Sequence, residues 1–319
     1  MNVEETCKEL KELLREATRR GPADVILLSG GIDTSAIAAS SSKELRDIHA
    51  FTVVLGDDCP DLPYAKRVAE LFGYKHQILN ISEEEALQAI PKVIKILKTF
   101  DPAIPNDLAV YLALKEVKGL GLNNALTGDG SDELFAGYSF MYELEPSDLR
   151  RYIKNLSVSM NFSSNKLGRY MGIGIKQPFL SDEVVKFALD LDTSLKVKSV
   201  EGKIYGKWIL RRAFEDDIPG LFLRDKAPIE VGSGMSKLRD TISSQISDVE
   251  FREKRRDYGI SFMNKEHLYF YEVYRESVGE VIEAEEGTYA CPLCRSAVRS
   301  KGVHCYICGY SPPLRKGET

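Results

Sequence analysis

Long apolar runs are missing from this sequence. No stretch approaches the ~20 uninterrupted apolar residues that a bilayer span needs, so no membrane partner is expected. The first twenty residues alternate charge with apolar positions and lack the apolar centre of a signal peptide. Secretion therefore has no support, and a cytoplasmic protein is the expectation. Internal repeats and low-complexity tracts are absent too, and 24 Gly and 13 Pro in 319 residues exclude a collagen-like or disordered chain. An excess of positive charge is also lacking: the net charge is −5. Residues 291–319 hold five basic residues (Arg295, Arg299, Lys301, Arg315, Lys316) against Glu318, leaving 38 basic against 47 acidic residues in 1–290. An acidic body disfavours broad nucleic-acid binding through counterion release, while the basic tail leaves a local nucleic-acid contact open but not favoured. What is present, 43% hydrophobic and 29% charged residues, is a folded globular composition long enough for one large or two ordinary domains.

Cysteine is scarce as well, but four of the six form Cys291-x-x-Cys294 and Cys305-x-x-Cys308. Without an export signal, such pairs point to metal before disulfides. Each pair makes a tight knuckle, and two knuckles offer four thiolates to one tetrahedral Zn²⁺, a structural site with no open position. Gly309 after Cys308 permits the turn, whereas Arg295 after Cys294 must make it without that freedom. Cys7 and Cys59 stand alone and read as ordinary cysteines.

The first half alternates strand-like and helix-like segments, which predicts an α/β fold with a parallel doubly wound sheet. Strands are expected at Asp24–Leu28, Ile48–Leu55, His76–Ile81 and Asn124–Leu126. Ile37, Ala38 and Leu45 suit a helix after the first strand. Asp61 is placed to cap the next helix, with Pro63 in its first turn and Gly73 to close it. Ser82 and Glu85 read as a capping box ahead of a helix that Pro91 is expected to kink, and 109–117 looks helical. Beyond Tyr138 the helical period dominates. The expected division is a nucleotide-binding α/β region (1–139), a mainly helical region (140–282), an acidic connector (Glu283 to Gly287) and a zinc-ribbon module (288–319).

Two strand ends, those of the first and fourth strands, carry the chemistry. Leu28-Ser29-Gly30-Gly31-Ile32-Asp33-Thr34-Ser35 joins the first strand to the first helix of the alternation. Its glycines let backbone N–H groups approach an anion, Ser29, Thr34 and Ser35 add hydroxyls, and the helix start adds partial positive charge. Asp33 would repel a bare phosphate, which points to a bridging Mg²⁺. The spacing is neither a Walker loop nor a dinucleotide fingerprint. A second loop, Thr127-Gly128-Asp129-Gly130-Ser131-Asp132-Glu133, follows the fourth strand, and a parallel sheet delivers both loops to the same edge. Asp33 and Asp132 could then share Mg²⁺ while Asp129 faces the reacting end of the nucleotide. Acids at helix starts are also often simple caps.

Leu28 to Ser35 is similar to the S-G-G-x-D-S signature of the pyrophosphate-loop ATPases, which cleave ATP between the α and β phosphates. With Thr127 to Tyr138, the chain resembles the synthetase domain of the asparagine synthetase family. The resemblance continues through Gln177-Pro178-Phe179-Leu180, Lys207-Trp208-Ile209-Leu210-Arg211, and Arg224-x-Lys226 followed by Gly232-x-Gly234, covering roughly residues 20 to 240. It implies an adenine nucleotide alpha hydrolase-like fold and an enzyme of amino-acid biosynthesis. ATP activates a carboxylate as its adenylate, pyrophosphate leaves, and an amine displaces AMP. The implied roles are Ser29, Gly30, Gly31, Asp33 and Thr34 on pyrophosphate with Lys207 beside them, and Leu28, Val53, Thr127 and Gly128 on adenosine. Lys226 matches the catalytic lysine, and Asp129 the acid that handles the nucleophile's proton.

Departures from the family narrow this. Asn2 stands where glutamine-dependent members carry cysteine after Met, and some twenty residues precede the first strand. The expectation is therefore no glutaminase domain, and ammonia or an amine delivered by a separate subunit. The family's R-V-P-F-L-D segment is here Lys176-Gln177-Pro178-Phe179-Leu180-Ser181. Between Asp101 and Tyr111, where some members carry Thr and Arg for the amino acid, no basic residue occurs, which removes the ground for expecting aspartate. A zinc ribbon is foreign to ordinary members. Two other readings stay open: a tRNA-modifying enzyme that adenylates a base, and a nucleotide-binding scaffold without catalysis.

Overall fold

A computed structural model describes residues 2–42, 45, 48–57, 59–158, 160–221, 223–225, 227–298 and 304–311. The chain opens with α1 (Val3–Arg19), whose first turn is capped by the Asn2 side chain accepting the Glu4 N–H at 3.1 Å. There follow β1 (Val25–Leu27), α2 (Ile32–Ser41), β2 (His49–Leu55), α3 (Leu62–Phe72), β3 (Lys75–Ile81), α4 (Glu83–Leu97), α5 (Ile104–Gly119), β4 (Asn124–Leu126), α6 (Ser131–Leu134), α7 (Pro146–Ser157), α8 (Ser163–Met171) and β5 (Gly174–Lys176). The strands form one parallel sheet in the order β3-β2-β1-β4-β5. Strand order reverses between β1 and β4, the switch point where parallel sheets bind ligands.

Alternation along the strands divides the core. Val25, Phe51, Leu55 and Ala125 face α4, α5 and α8 in one buried cluster, while Ile26, Leu28, Ala50 and Leu126 face α1, α2 and α3 in the other. Both faces being covered is why these strands read as nearly continuous apolar runs. After β5 come α9 (Asp182–Asp190), the hairpin β6 (Lys198–Val200) and β7 (Lys203–Tyr205), α10 (Trp208–Ala213), α11 (Ile229–Gly232), α12 (Leu238–Ser244), α13 (Asp248–Tyr258) and α14 (Lys265–Ser277). The small antiparallel pair β8 (Tyr289–Ala290) and β9 (Ala297–Val298) belongs to the cysteine module.

The four expected strands are present, and Gly73 closes α3 at φ +73. Ser82 caps α4 by accepting the Glu85 N–H at 3.1 Å, and the helix runs unbroken through Pro91. Three features differ from expectation. A fifth strand lies beyond Tyr138, too short at three residues to leave a period-two pattern. Leu45 falls past the end of α2. Asp61 does not cap α3 with its side chain, because its carboxylate is taken by Arg224.

The cysteine module packs into the body. Cys291, Cys294, Cys305 and Cys308 are buried in the same cluster as Leu97, Phe100, Tyr271 and Tyr274. Phe100 is fully buried, its ring centroid 5.0 Å from Tyr271 and 5.4 Å from Tyr274, and its N–H donates to the Ile307 carbonyl at 2.7 Å. Phe100→Ala should therefore cost about 3–5 kcal/mol, as for other buried aromatics. The expected result is a lower denaturant midpoint with an unchanged slope.

Candidate functional site

The first loop lies at the C-terminal end of β1, above the switch point. Gly30 adopts φ +78, and a Cβ on it would stand 2.5 Å from the Ala65 nitrogen and 2.8 Å from the Asp61 carbonyl oxygen. Glycine is thus required by both conformation and the close approach of α3. Inside the loop, Ser29 Oγ accepts the Gly31 N–H at 3.2 Å and lies 3.1 Å from Thr34 Oγ1. Gly31 precedes α2 with no side-chain cap, which leaves the N–H groups of the helix start available to an anion.

Lys207 is the cation of the site. Its Nζ donates to Asp33 Oδ1 and Oδ2, both at 2.7 Å, and lies 2.9 Å from Asp132 Oδ1. Ser131 Oγ donates to Asp33 Oδ1 at 2.6 Å. Burial by itself would drive the proton off Lys207, but Asp132 and Asp33 outweigh it and hold the ammonium above the ordinary lysine range. Lys207 sits at φ +55, a left-handed conformation unusual for a residue with a Cβ. A Cβ on Gly137 would collide with the Asp132 carboxylate and the Lys207 stem. A Cβ on Gly128 would stand 2.9 Å from the Cβ of Asp33. The two loops therefore meet, and glycines set how closely.

Asp129 is tied down on one oxygen. Its Oδ2 accepts from Thr127 Oγ1 at 2.7 Å, Ser164 Oγ at 2.6 Å and Gln177 Nε2 at 2.8 Å. Behind the first loop, Arg224 donates to the Gly30 carbonyl at 2.6 Å, pairs with Asp61 and lies over the Tyr64 ring at 3.8 Å.

These groups line one pocket of about 610 Å³. Leu28, Ser29, Gly31, Asp33, Thr34, Val53, Thr127, Gly128, Asp129, Asp132 and Lys207 all border it. Gly30 stands behind this wall. Ser35, expected to offer a hydroxyl, is fully buried with its Oγ unpartnered among the described residues, because it faces the core side of α2. Lys226 lies outside the described residues; its neighbours Asp225 and Ala227 line the pocket. Sequence reasoning missed Ser131, Ser164, Gln177 and Gly137. Of these, Ser131, Gly137 and Gln177 lay inside recognised motifs, whereas Ser164 acts only through tertiary proximity.

The four cysteine sulfurs lie within 4.8 Å of one another, with Cys291 and Cys308 at 3.6 Å and Cys294 and Cys305 at 3.7 Å. Four thiolates bound at ~2.3 Å around a tetrahedral Zn²⁺ would lie ~3.8 Å apart, so the donor set fits that ion. The knuckles match: Arg295 N–H donates to Cys291 O and Gly309 N–H to Cys305 O, each at 2.9 Å. Arg295 at φ +60 and Gly309 at φ +74 make the same left-handed turn.

Asp107, in the pocket wall at the start of α5, has its carboxyl pushed up to about 7 by burial, with Asp101 and Asp129 adding to the shift and a bond from Ser163 opposing it. Between about pH 4 and 7 the folded protein holds a proton that the unfolded chain has released, so this group lowers stability as pH rises through that window. Asp107→Asn should raise the melting temperature at pH 8, and the gain should shrink at pH 5. Thermal unfolding at both pH values checks this.

A profile of the family described as "Asparagine synthase" matches residues 9–171 and 147–279. Asparagine synthetase [glutamine-hydrolyzing] 1 of Arabidopsis thaliana is 30% identical over 271 residues, covering 77% of this chain and 46% of that protein. A probable asparagine synthetase [glutamine-hydrolyzing] of Schizosaccharomyces pombe is 32% identical over 305 residues, 83% of this chain and 54% of that protein. The chain spans about half the length of the curated relatives it matches. Among solved structures, NMN synthetase from Francisella tularensis aligns at 16% identity and a TM-score of 0.28, over 72% of this chain and 99% of that one, a likeness too loose to carry weight. The profile and these relatives together make the chain a member of the asparagine synthase family.

Proposed function

We propose that the protein is an ATP-dependent amide ligase that forms AMP and pyrophosphate and uses ammonia or a partner-delivered amine. The observation that carries this is the meeting of an uncapped helix start, the Ser29–Thr34 loop and the Asp33–Lys207–Asp132 cluster over the switch point. In this reading the α2 N–H groups and the loop hydroxyls bind the leaving pyrophosphate. Lys207 stabilises charge that grows as the bond to the α-phosphorus breaks. Asp33 and Asp132 would hold Mg²⁺, and their present convergence on one cation fits them for it. Mg²⁺, when bound, would neutralise phosphate charge and orient the leaving group.

The acceptor's carboxylate oxygen attacks the α-phosphorus and pyrophosphate departs. The amine nitrogen then attacks the acyl carbon, AMP leaves with the shared oxygen, and the nitrogen loses a proton. Asp129 has one oxygen occupied by three donors, leaving Oδ1 to meet that proton. Lys226 is the proposed cation for the tetrahedral intermediate.

A second reading, adenylation of an RNA base, draws support from one surface. Exposed Lys92, Lys95, Lys166 and Arg169 border a cavity of about 640 Å³ with Tyr170, and Lys166 also lines the nucleotide pocket. RNA retained through purification and released by salt would favour that reading.

The ligase reading predicts that ATP is split to AMP and pyrophosphate when carboxylates are supplied, with exchange of labelled pyrophosphate into ATP as the assay. Production of ADP and phosphate alone would refute it. Asp33→Asn should lower the exchange rate by orders of magnitude while leaving the fold intact. Lys226→Ala should depress kcat by roughly 10²- to 10³-fold with little change in KM for ATP. A change confined to KM would make Lys226 a binding residue only.

A further inference from the structure

We propose that the cysteine module forms the acceptor end of the ligand pocket, where His304 and Tyr306 select the acceptor and disfavour one bearing a second carboxylate. This rests on the ligase reading above. Both side chains border the same pocket as Asp33, Asp129 and Lys207. Their position is fixed by the body rather than by a flexible tether. The Ile307 carbonyl accepts the Phe100 N–H at 2.7 Å and the Thr99 hydroxyl at 3.1 Å. Gly309 presses on the residues that open α5: a Cβ on it would stand 2.5 Å from Asp101 Oδ1 and 2.8 Å from Pro102 Cδ. His304 Nε2 lies 3.3 Å from Asp101 Oδ2, and its Nδ1 lies 2.9 Å from Ser311 Oγ. The His304 and Tyr306 rings meet edge to face at 5.3 Å.

The clamped segment faces the pocket with Asp101, Asn106 and Asp107. Asp101 Oδ1 accepts the Ala103 N–H at 2.8 Å, and His304 Nε2 lies 3.3 Å from its Oδ2. The sequence between Asp101 and Tyr111 contains no basic residue. An acceptor with an acidic far end would thus meet the Asp101 carboxylate and the Asp107 carboxyl, with Lys166, which acts on Asp107, bordering the same space. One with an uncharged or amine-bearing far end would meet acceptors of hydrogen bonds. His304 stands against Asp101 and covers part of this field, and Tyr306 bounds the space.

The test uses stable mimics of the acyl adenylate, 5′-O-sulfamoyladenosine carrying glycyl, aspartyl or lysyl groups, with AMP as control. Affinities are measured by calorimetry on the zinc-loaded full chain. The wild type should bind the lysyl probe more tightly than the aspartyl probe. His304→Ala uncovers Asp101 Oδ2 and should raise the lysyl-to-aspartyl ratio by about 3- to 10-fold, the size of one partly exposed polar interaction. His304→Gln, which retains a donor, should keep the ratio near wild type. Tyr306→Ala should favour the bulkier lysyl and aspartyl probes over glycyl. AMP affinity should stay within about twofold in every variant. Zinc content of each variant checks that the module remains folded, and if His304→Ala loses zinc, the Gln and Tyr306 variants decide the matter. Ratios unchanged across the variants, or a wild-type preference for the aspartyl probe, would overturn the inference while leaving the ligase reading intact. Failure of the wild type to bind AMP or any probe would overturn both.

Discussion

A buried lysine held between two carboxylates is the constraint around which the site is arranged. Removing Lys207 from water is costly, and it is stable there because Asp33 and Asp132 approach it from two different loops. Each loop must therefore come close, and the sequence provides for that at Gly128 and Gly137, where a methyl group would force them apart. Lys207 itself takes a left-handed backbone conformation at the head of α10. Its N–H is anchored by the Phe135 carbonyl at 2.9 Å, so the second loop positions both ends of the residue. Such a lysine gives the proposed leaving pyrophosphate a cation that needs no reorganisation at the moment of bond breaking.

The sheet explains why these loops can meet at all. Parallel strands β1 and β4 are neighbours, with Ile26 in register with Leu126, so the segments following them emerge side by side. That much was legible from short apolar runs ending in Gly-rich, acid-bearing loops. Gly232-x-Gly234 was legible as part of the family resemblance but not as a closure. In the fold the Ser233 carbonyl accepts the Leu55 N–H at 2.8 Å and the Gly232 carbonyl accepts that of Asp61 at 3.2 Å. Gly232 has no room for a Cβ beside the Asp61 carboxylate. Asp61 itself looked like a helix cap because local pattern is blind to Arg224, 163 residues away, which claims its side chain.

The cysteine module divides in the same way. Spacing alone specified two knuckles and one tetrahedral donor set, and both turns have the left-handed geometry that Gly309 announces and Arg295 must adopt. Spacing carried no sign that the module is built into the core. That contact depends on a carbonyl, a glycine and a histidine meeting the Thr99–Asp101 segment, none of which leaves a periodic signal. A four-thiol cluster suited to a metal ion and a segment that walls the pocket are then the same piece of chain.

Charge distribution within the pocket links these parts. At the end formed by the two loops, Lys207 compensates two carboxylates and the start of α2 carries no side-chain cap. At the far end, Asp101 and Asp107 have hydrogen-bond donors but no lysine or arginine within the α5 start itself. Asp129 stands between them, its Oδ2 committed to Thr127, Ser164 and Gln177. Under the proposed ligase reading, a pocket with Lys207 at the loop end and the Asp101 and Asp107 carboxyls toward the cysteine module suits a less acidic acceptor.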